Sequence, residues 1–248
     1  MTAMKQHEAV LEAMRQNGGY ATLGYLYRAA LKIPGCHWGT KTPFASIRRI
    51  VQVHRDLFFK LKPGLWALAS EREAVLEKLA LDARAASPEA EEFNHSYYQG
   101  LIVEIGNLKN YETFVPHQDK NKRFLSRRLA EVSTLREFHN FTYDSLLRRA
   151  RTVDVSWFNQ RRLPKAFFEV EHSTGMHNSL LKFLDFEDFR INFFIVADAA
   201  RRREFESKMA SSTFSPIRNT VKFLDYDTLA DTHSKISASL PAEKLLGL

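Results

Sequence analysis

The sequence predicts an α/β protein: a mixed sheet flanked by helices, preceded by a small domain of helices and one hairpin. Three observations predict it. Up to about Ser70, three stretches of helical spacing are followed by two short apolar runs around Lys62-Pro63-Gly64. Residues 71–96 shift to an Ala- and Glu-rich composition, which reads as one short helix and a linker broken at Ser87-Pro88. From Tyr97 to the last residue, Leu248, helical stretches alternate with strands.

The elements follow in order. "HEAVLEAMRQNGG" sets Val10, Leu11 and Met14 at helical spacing and stops at Gly18-Gly19. "TLGYLYRAALKIPG" reads as a second helix that ends before Pro34-Gly35. "TPFASIRRIVQVH" opens with Thr42 as the expected N-cap and Pro43 at the first helical position. Phe44, Ile47, Ile50 and Val51 form its apolar stripe, and Arg48, Arg49 and Arg55 fall largely off it. "LFFKLKPGLWALAS" reads as a hairpin. Helices followed by a hairpin are the winged-helix order, which would lay the third helix in the DNA major groove with the hairpin at its flank. Lys41, Arg48, Arg49, Lys60 and Lys62 would then contact phosphates. A small interaction module with a solvated basic face has the same pattern.

In the second segment, "YYQGLIVEIGNLKNY" is helical by period and "ETFVP" is a short strand. "HQDKNKRFLSRRLAEVST" is a polar, basic loop with room for one helix, and "YDSLLRRA" is a helix. "TVDVSWF" and "AFFEVEHS" read as strands joined by the turn "NQRRLP", hence as an antiparallel hairpin. "GMHNSLLKFLDF" is a helix and "INFFIVAD" a continuous apolar run of the kind a fully buried strand shows. "AARRREFESKM" is a helix, "TVKFLDY" a strand and the C-terminal part helical.

Bulk properties narrow the function classes. A net charge of +7 and a pI near 9.5 favour polyanionic partners. The single cysteine, Cys36, excludes an internal disulfide and a cysteine-based zinc site. No apolar run approaches the ~20 residues of a membrane span. The N-terminus has no uninterrupted apolar run of the signal-peptide type, so a cytoplasmic location is expected.

The chemistry centres on the two hairpin strands. Alternation puts Phe167, Glu169 and Glu171 on one face and Phe168, Val170 and His172 on the other. On the preceding strand it groups Val153, Val155 and Trp157 against Asp154, Ser156 and Phe158. Where Asp154 faces the same way as the glutamates, three carboxylates converge. In an apolar surround they repel and lose solvation, so they stay ionised only around a cation. Hard oxygen ligands suit Mg²⁺, or Mn²⁺, and such an ion activates water against a phosphodiester. A solvated edge strand with its glutamates facing water is the competing reading of E-x-E.

Asp154, a gap of 14 residues and Glu169-Val170-Glu171 together resemble the PD-(D/E)xK nuclease superfamily, which includes many restriction endonucleases. "VDVSWF…AFFEVEHSTG" and "EIGNLKNYETFVPHQD" resemble a restriction-endonuclease-like branch with an EVE-type motif, and the N-terminal segment resembles HARE-type winged-helix modules. The resemblance implies a winged helix over 1–70, a helical linker over 71–96 and a nuclease-like domain over 97–248. It implies Asp154 and Glu169 as central metal ligands and Glu104 as an extra acidic ligand, unless Glu104 is a solvated helix residue. The family's lysine position holds Glu171, which would orient or deprotonate the attacking water. That departure equally fits a domain that binds DNA without cutting it. Lys165 or Lys182 would supply the missing positive charge. Val153 stands where the family pattern has proline. Arg148, Arg149, Arg151, Arg161 and Arg162 form either a phosphate track or a solvated surface. His172 and His177 are a weaker zinc pair, and Ser173 and Thr174 are expected to cap the next helix or touch a phosphate. The implied activity is Mg²⁺-dependent cleavage of double-stranded DNA, by a homodimer where both strands are cut together.

Overall fold

The computed structural model describes residues 4–79, 87–172 and 175–239. Ser173 and Thr174 lie outside the described residues. The chain forms two compact units: residues Met1–Ala85 together with Ala230–Leu248, and Ala86–Leu229.

The first unit runs α1 (Gln6–Gln16), β1 (Tyr20–Thr22), α2 (Leu23–Ala29), α3 (Pro43–Val53), β2 (Phe58–Lys62), β3 (Leu65–Leu68) and α4 (Arg72–Lys78). The expected hairpin forms across Pro63-Gly64, where Gly64 takes a left-handed φ of 75° that a turn demands and other residues resist. β1 is an addition to the expected elements. Its three residues are too few to show a period, and they become a strand because β3 pairs with them, giving the order β1-β3-β2. Val10, Met14, Leu26, Ile47, Val51, Phe58 and Leu68 form the core of this unit. Thr42 occupies the N-cap position of α3, but its hydroxyl meets Thr40 and makes no cap bond to the helix. Pro43, whose ring presets the helical φ, stands at the start instead.

The second unit begins with α5 (Pro88–Leu108). Ser87-Pro88, expected to break a linker, is the start of this helix. The Ser87 hydroxyl accepts from Ala90 N at 3.2 Å, and proline at the first position loses no hydrogen bond. Then follow β4 (Glu112–Phe114), β5 (Arg123–Phe124), β6 (Arg127–Arg128), α6 (Leu129–Val132), α7 (Asp144–Ala150), β7 (Val155–Phe158), β8 (Pro164–Glu171), α8 (His177–Leu184), β9 (Asn192–Ala197), α9 (Arg202–Ala210), β10 (Val221–Asp225) and the first turn of α10 (Tyr226–Ser239), whose residues from Ala230 onward belong to the first unit. Among the described residues, five strands make a mixed sheet in the order β10-β9-β8-β7-β4. β8 pairs antiparallel with β7 and parallel with β9.

Both faces of this sheet are covered. On one face Phe167, Phe193, Leu180, Phe183 and Phe186 are fully buried in one cluster that includes α8. On the other, Phe168 stacks on Phe194 at 4.8 Å and lies against Trp157, whose indole N–H donates to Ile102 O on α5. The expected alternation holds along β8. It fails at the start of β7, because the strand begins only at Val155, and Val153, in the preceding turn, joins the α8-side cluster with Phe158.

The buried Phe124 ring of the β5–β6 hairpin rests directly on Gly100 of α5, in the space a Cβ would fill. Gly100→Ala is expected to destabilise the protein by about 2 kcal/mol through overpacking, measured by chemical denaturation. An unchanged midpoint would show that the hairpin shifts without cost.

Candidate active site

The first site residues come from β8. Glu169 and Glu171 project toward α8 and are each 4 % exposed, so the solvated edge-strand reading does not hold for this strand. Ser179, in the first turn of α8, has its hydroxyl on both: 3.0 Å from Glu169 Oε2, and in contact with Glu171 Oε1. One turn further, Lys182 Nζ donates to Glu169 Oε1 at 2.6 Å and to Thr152 O at 3.0 Å. A hydroxyl carries one proton and cannot donate to two carboxylates at once. Lys182 offsets one of the two carboxylate charges, so a proton on one carboxyl or a further cation would complete the balance.

Asp154 comes from the turn before β7. The β7–β8 register, with Val155 opposite Phe168, carries it to the level of Glu169. Its Oδ2 accepts from Val170 N at 2.7 Å, which ties it to the neighbouring strand. Burial and then the Asp154 charge push the Glu169 carboxyl up to about 8, against the opposing pull of Lys182 and Ser179.

A second group meets Asp154 from α5 and the loop after β4. His95 Nε2 lies 3.6 Å from Asp154 Oδ1. Asp119 is 1 % exposed, accepts from Gln99 Nε2 at 2.8 Å and pairs with Lys122 at 2.6 Å. Gln99 Nε2 also reaches Asp154 O at 3.2 Å. Burial alone would lower the His95 pKa, but the Asp154 and Asp119 carboxylates outweigh it and the net direction is upward. Ligand atoms of His95, Asp119 and Asp154 all lie within 4.8 Å of one another.

The remaining expected residues fall elsewhere. Glu104 on α5 pairs with Arg127 of β6 at 2.8 Å and is not among the three clustered ligand residues. Lys165 is exposed on β8, and Lys182 is the lysine that reaches Glu169. Arg161 and Arg162 are exposed in the β7–β8 turn. In the first unit Lys41, Arg49 and Lys60 are exposed, while burial holds the half-buried Lys62 below the usual lysine range. Arg48 is committed within its own unit, donating to Asp231 at 2.9 Å. His172 is exposed at the end of β8 with Nε2 3.4 Å from Asn94 Nδ2, and His177 lies edge-on to Phe214.

His95, Asp119 and Ser179 are absent from the sequence-based set. His95 falls in the stretch read as linker, and Asp119 in a loop read as basic. The signal in the sequence is the polar side chains Asn94, His95, Ser96 and Gln99 among the aromatic and aliphatic residues of the middle of that helix.

Among the described residues, no helix is long and apolar enough to cross a membrane. No solved structure matches the chain. The type II restriction enzyme NmeDI of Neisseria meningitidis serogroup C is 24 % identical over 99 residues, which cover 38 % of this chain and 28 % of that protein. The match thus spans less than a third of that relative's length. The family model of the type II restriction enzyme NmeDI C-terminal domain matches residues 77–240, more than half of the chain. By that match, which takes in both carboxylate groups described above, the chain belongs to the family of the NmeDI C-terminal domain.

Proposed function

We propose that the chain is a Mg²⁺-dependent, restriction-type endonuclease acting on double-stranded DNA. In this reading a PD-(D/E)xK-like domain over 97–248 follows a winged-helix DNA-binding domain over 1–70 and a linker over 71–96. The observation that carries it is the pairing of Asp154, in the turn before β7, with the buried Glu169 of β8, to which Lys182 donates. Membership of a restriction-enzyme family supports the reaction class.

Asp154 and Glu169 offer the hard oxygen donors that suit Mg²⁺, and Mn²⁺ would also be accepted. When bound, the ion supplies polarisation of the phosphodiester and a water acidic enough to attack near neutral pH. Lys182 holds Glu169 in place from α8 and brings the positive charge missing at position 171. This contact weighs against the alternative of a binding-only domain. Glu171, linked to Glu169 through Ser179, orients the attacking water or takes its proton. Exposed Arg161 and Arg162, with Lys41, Arg49 and Lys60, would track phosphates. A homodimer would cut both strands together.

The test is cleavage of methylated and unmethylated plasmid and phage DNA with Mg²⁺ or with EDTA. Asp154→Asn and Glu169→Ala are expected to lower the cleavage rate at least ~100-fold, the scale of a lost metal ligand, while gel shifts of DNA persist. Lys182→Met is expected to lower it by ~10–100-fold without changing the salt dependence of binding. Intact DNA shifted equally by every variant would leave the binding-only reading.

A second expectation concerns pH in metal-free buffer. The native Glu169 carboxyl keeps its proton up to about 8, whereas the unfolded one titrates near 4.5. Its contribution to stability is therefore full below about pH 4.5 and is lost as pH rises to about 8. Relative to wild type, Glu169→Gln is expected to gain on the order of 5 °C in Tm between those pH values. A difference in Tm that does not change with pH would show that Glu169 is ionised throughout.

A further inference from the structure

The second unit holds an open groove lined by His177, Glu204, Lys208 and Phe214, the basic β5–β6 hairpin, the stacked Tyr98–Tyr226 pair and the polar face of α5. Of these, the polar face of α5 brings metal-ligating side chains together. We propose that His95, Asp119 and Asp154 form a divalent-cation site distinct from the Asp154–Glu169 pair, and that it takes a first-row transition-metal dication in preference to Mg²⁺ or Ca²⁺.

The three side chains come from separate elements, α5, the loop after β4 and the turn before β7, and converge with ligand atoms within 4.8 Å. Metal–ligand distances of about 2.0–2.2 Å put neighbouring donors roughly 3–3.5 Å apart, so closure needs small side-chain movements only. The His95 and Asp154 side chains are 23 % and 13 % exposed and Asp119 is 2 %, which leaves an entry path beside His95.

The ligand atoms then indicate the ion. One imidazole nitrogen with two carboxylates is a mixed set that suits Mn²⁺, Co²⁺ or Zn²⁺, whereas Mg²⁺ and Ca²⁺ take all-oxygen shells. Lys122 already partners Asp119, so charge balance alone does not demand a metal. The second observation does point to one. Gln99, fully buried, directs its amide into the cluster through Nε2 contacts to Asp119 and Asp154. Its Oε1 is buried and has no hydrogen-bond partner. Neither Lys122 nor His95 satisfies this carbonyl oxygen, and a buried acceptor left unpaired is costly. A cation held beside this amide would give the oxygen a partner through a coordinated water.

The site shares Asp154 with the proposed nuclease centre but does not depend on that reading, and its test uses no DNA. The full chain is titrated with Mn²⁺ in the presence of excess Mg²⁺, with electron spin echo modulation as the readout. Wild type and Glu169→Gln are expected to bind Mn²⁺ with ¹⁴N modulation from a coordinated imidazole. His95→Gln is expected to lose the ¹⁴N signal and, like Asp119→Asn, to bind on the order of 10–100-fold more weakly. Circular dichroism and thermal melts confirm that each variant is folded. The proposal is overturned if folded wild type binds Mn²⁺ without ¹⁴N modulation, or not at all. It is equally overturned if the signal survives His95→Gln or disappears in Glu169→Gln, the last outcome placing the ion at the Glu169 pair. Failure of DNA cleavage with an intact ¹⁴N signal would sink the nuclease reading and leave this one standing.

Discussion

Strand β8 is paired on both edges and covered on both faces, and that enclosure governs the rest of the second unit. From Ala166 to Glu171 its side chains are denied bulk water. Its backbone pairs with β7 over its first half and with β9 over Ala166–Glu171, and Val170 N donates to Asp154 Oδ2, but the side chains of Glu169 and Glu171 must find partners on neighbouring elements. The chain supplies Ser179 and Lys182 from one helix and Asp154 from the adjoining turn. Burying ionisable groups costs stability, and the cost is retained here at one end of the hairpin while the other end is packed with phenylalanine.

The same enclosure explains the division of labour between the two sheet faces. Toward α8, an apolar cluster of Phe167, Phe183, Phe186 and Phe193 holds the helix, so Ser179 and Lys182 arrive at fixed positions. Toward α5, Trp157 packs into the gap left by Gly106 and bonds Ile102 O, which sets the distance of that helix from the sheet. His95 and Gln99 are thereby brought to the backbone and side chain of Asp154. Asp154 stands where both sets of polar groups meet. Its own carboxylate is fixed by Val170 N, so a change on either side alters the electrostatics felt by the other.

The first unit shows a different use of charge. Arg48 sits on α3 off the apolar stripe, which is where a phosphate contact is expected from pattern alone. Its guanidinium pairs with Asp231, far along the chain, and with Tyr27. Helical periodicity distinguishes a polar face from an apolar one, but it is blind to a carboxylate 183 residues away. Lys41 and Arg49, on the same helix or its approach, remain exposed.

What the sequence determined by itself is local. Alternation along β8, the run Asn192–Ala197 and the Pro-Gly turn specify strands and faces, because side-chain direction follows the backbone period within a few residues. The mixed α/β architecture and the pairing of the glutamates on one face were legible for that reason. Long-range pairing was decided only by the tertiary structure. β1 exists because β3 accepts it, and Ser87-Pro88 begins a helix whose later turns pack on the sheet. Lys182 rather than Lys165 reaches Glu169 because α8 docks over β8. His95 and Asp119 join Asp154 because a helix, a loop and a turn meet in space. No periodicity records such a meeting, since each of those side chains has ordinary neighbours in sequence and acquires its partners only when the sheet closes beneath them.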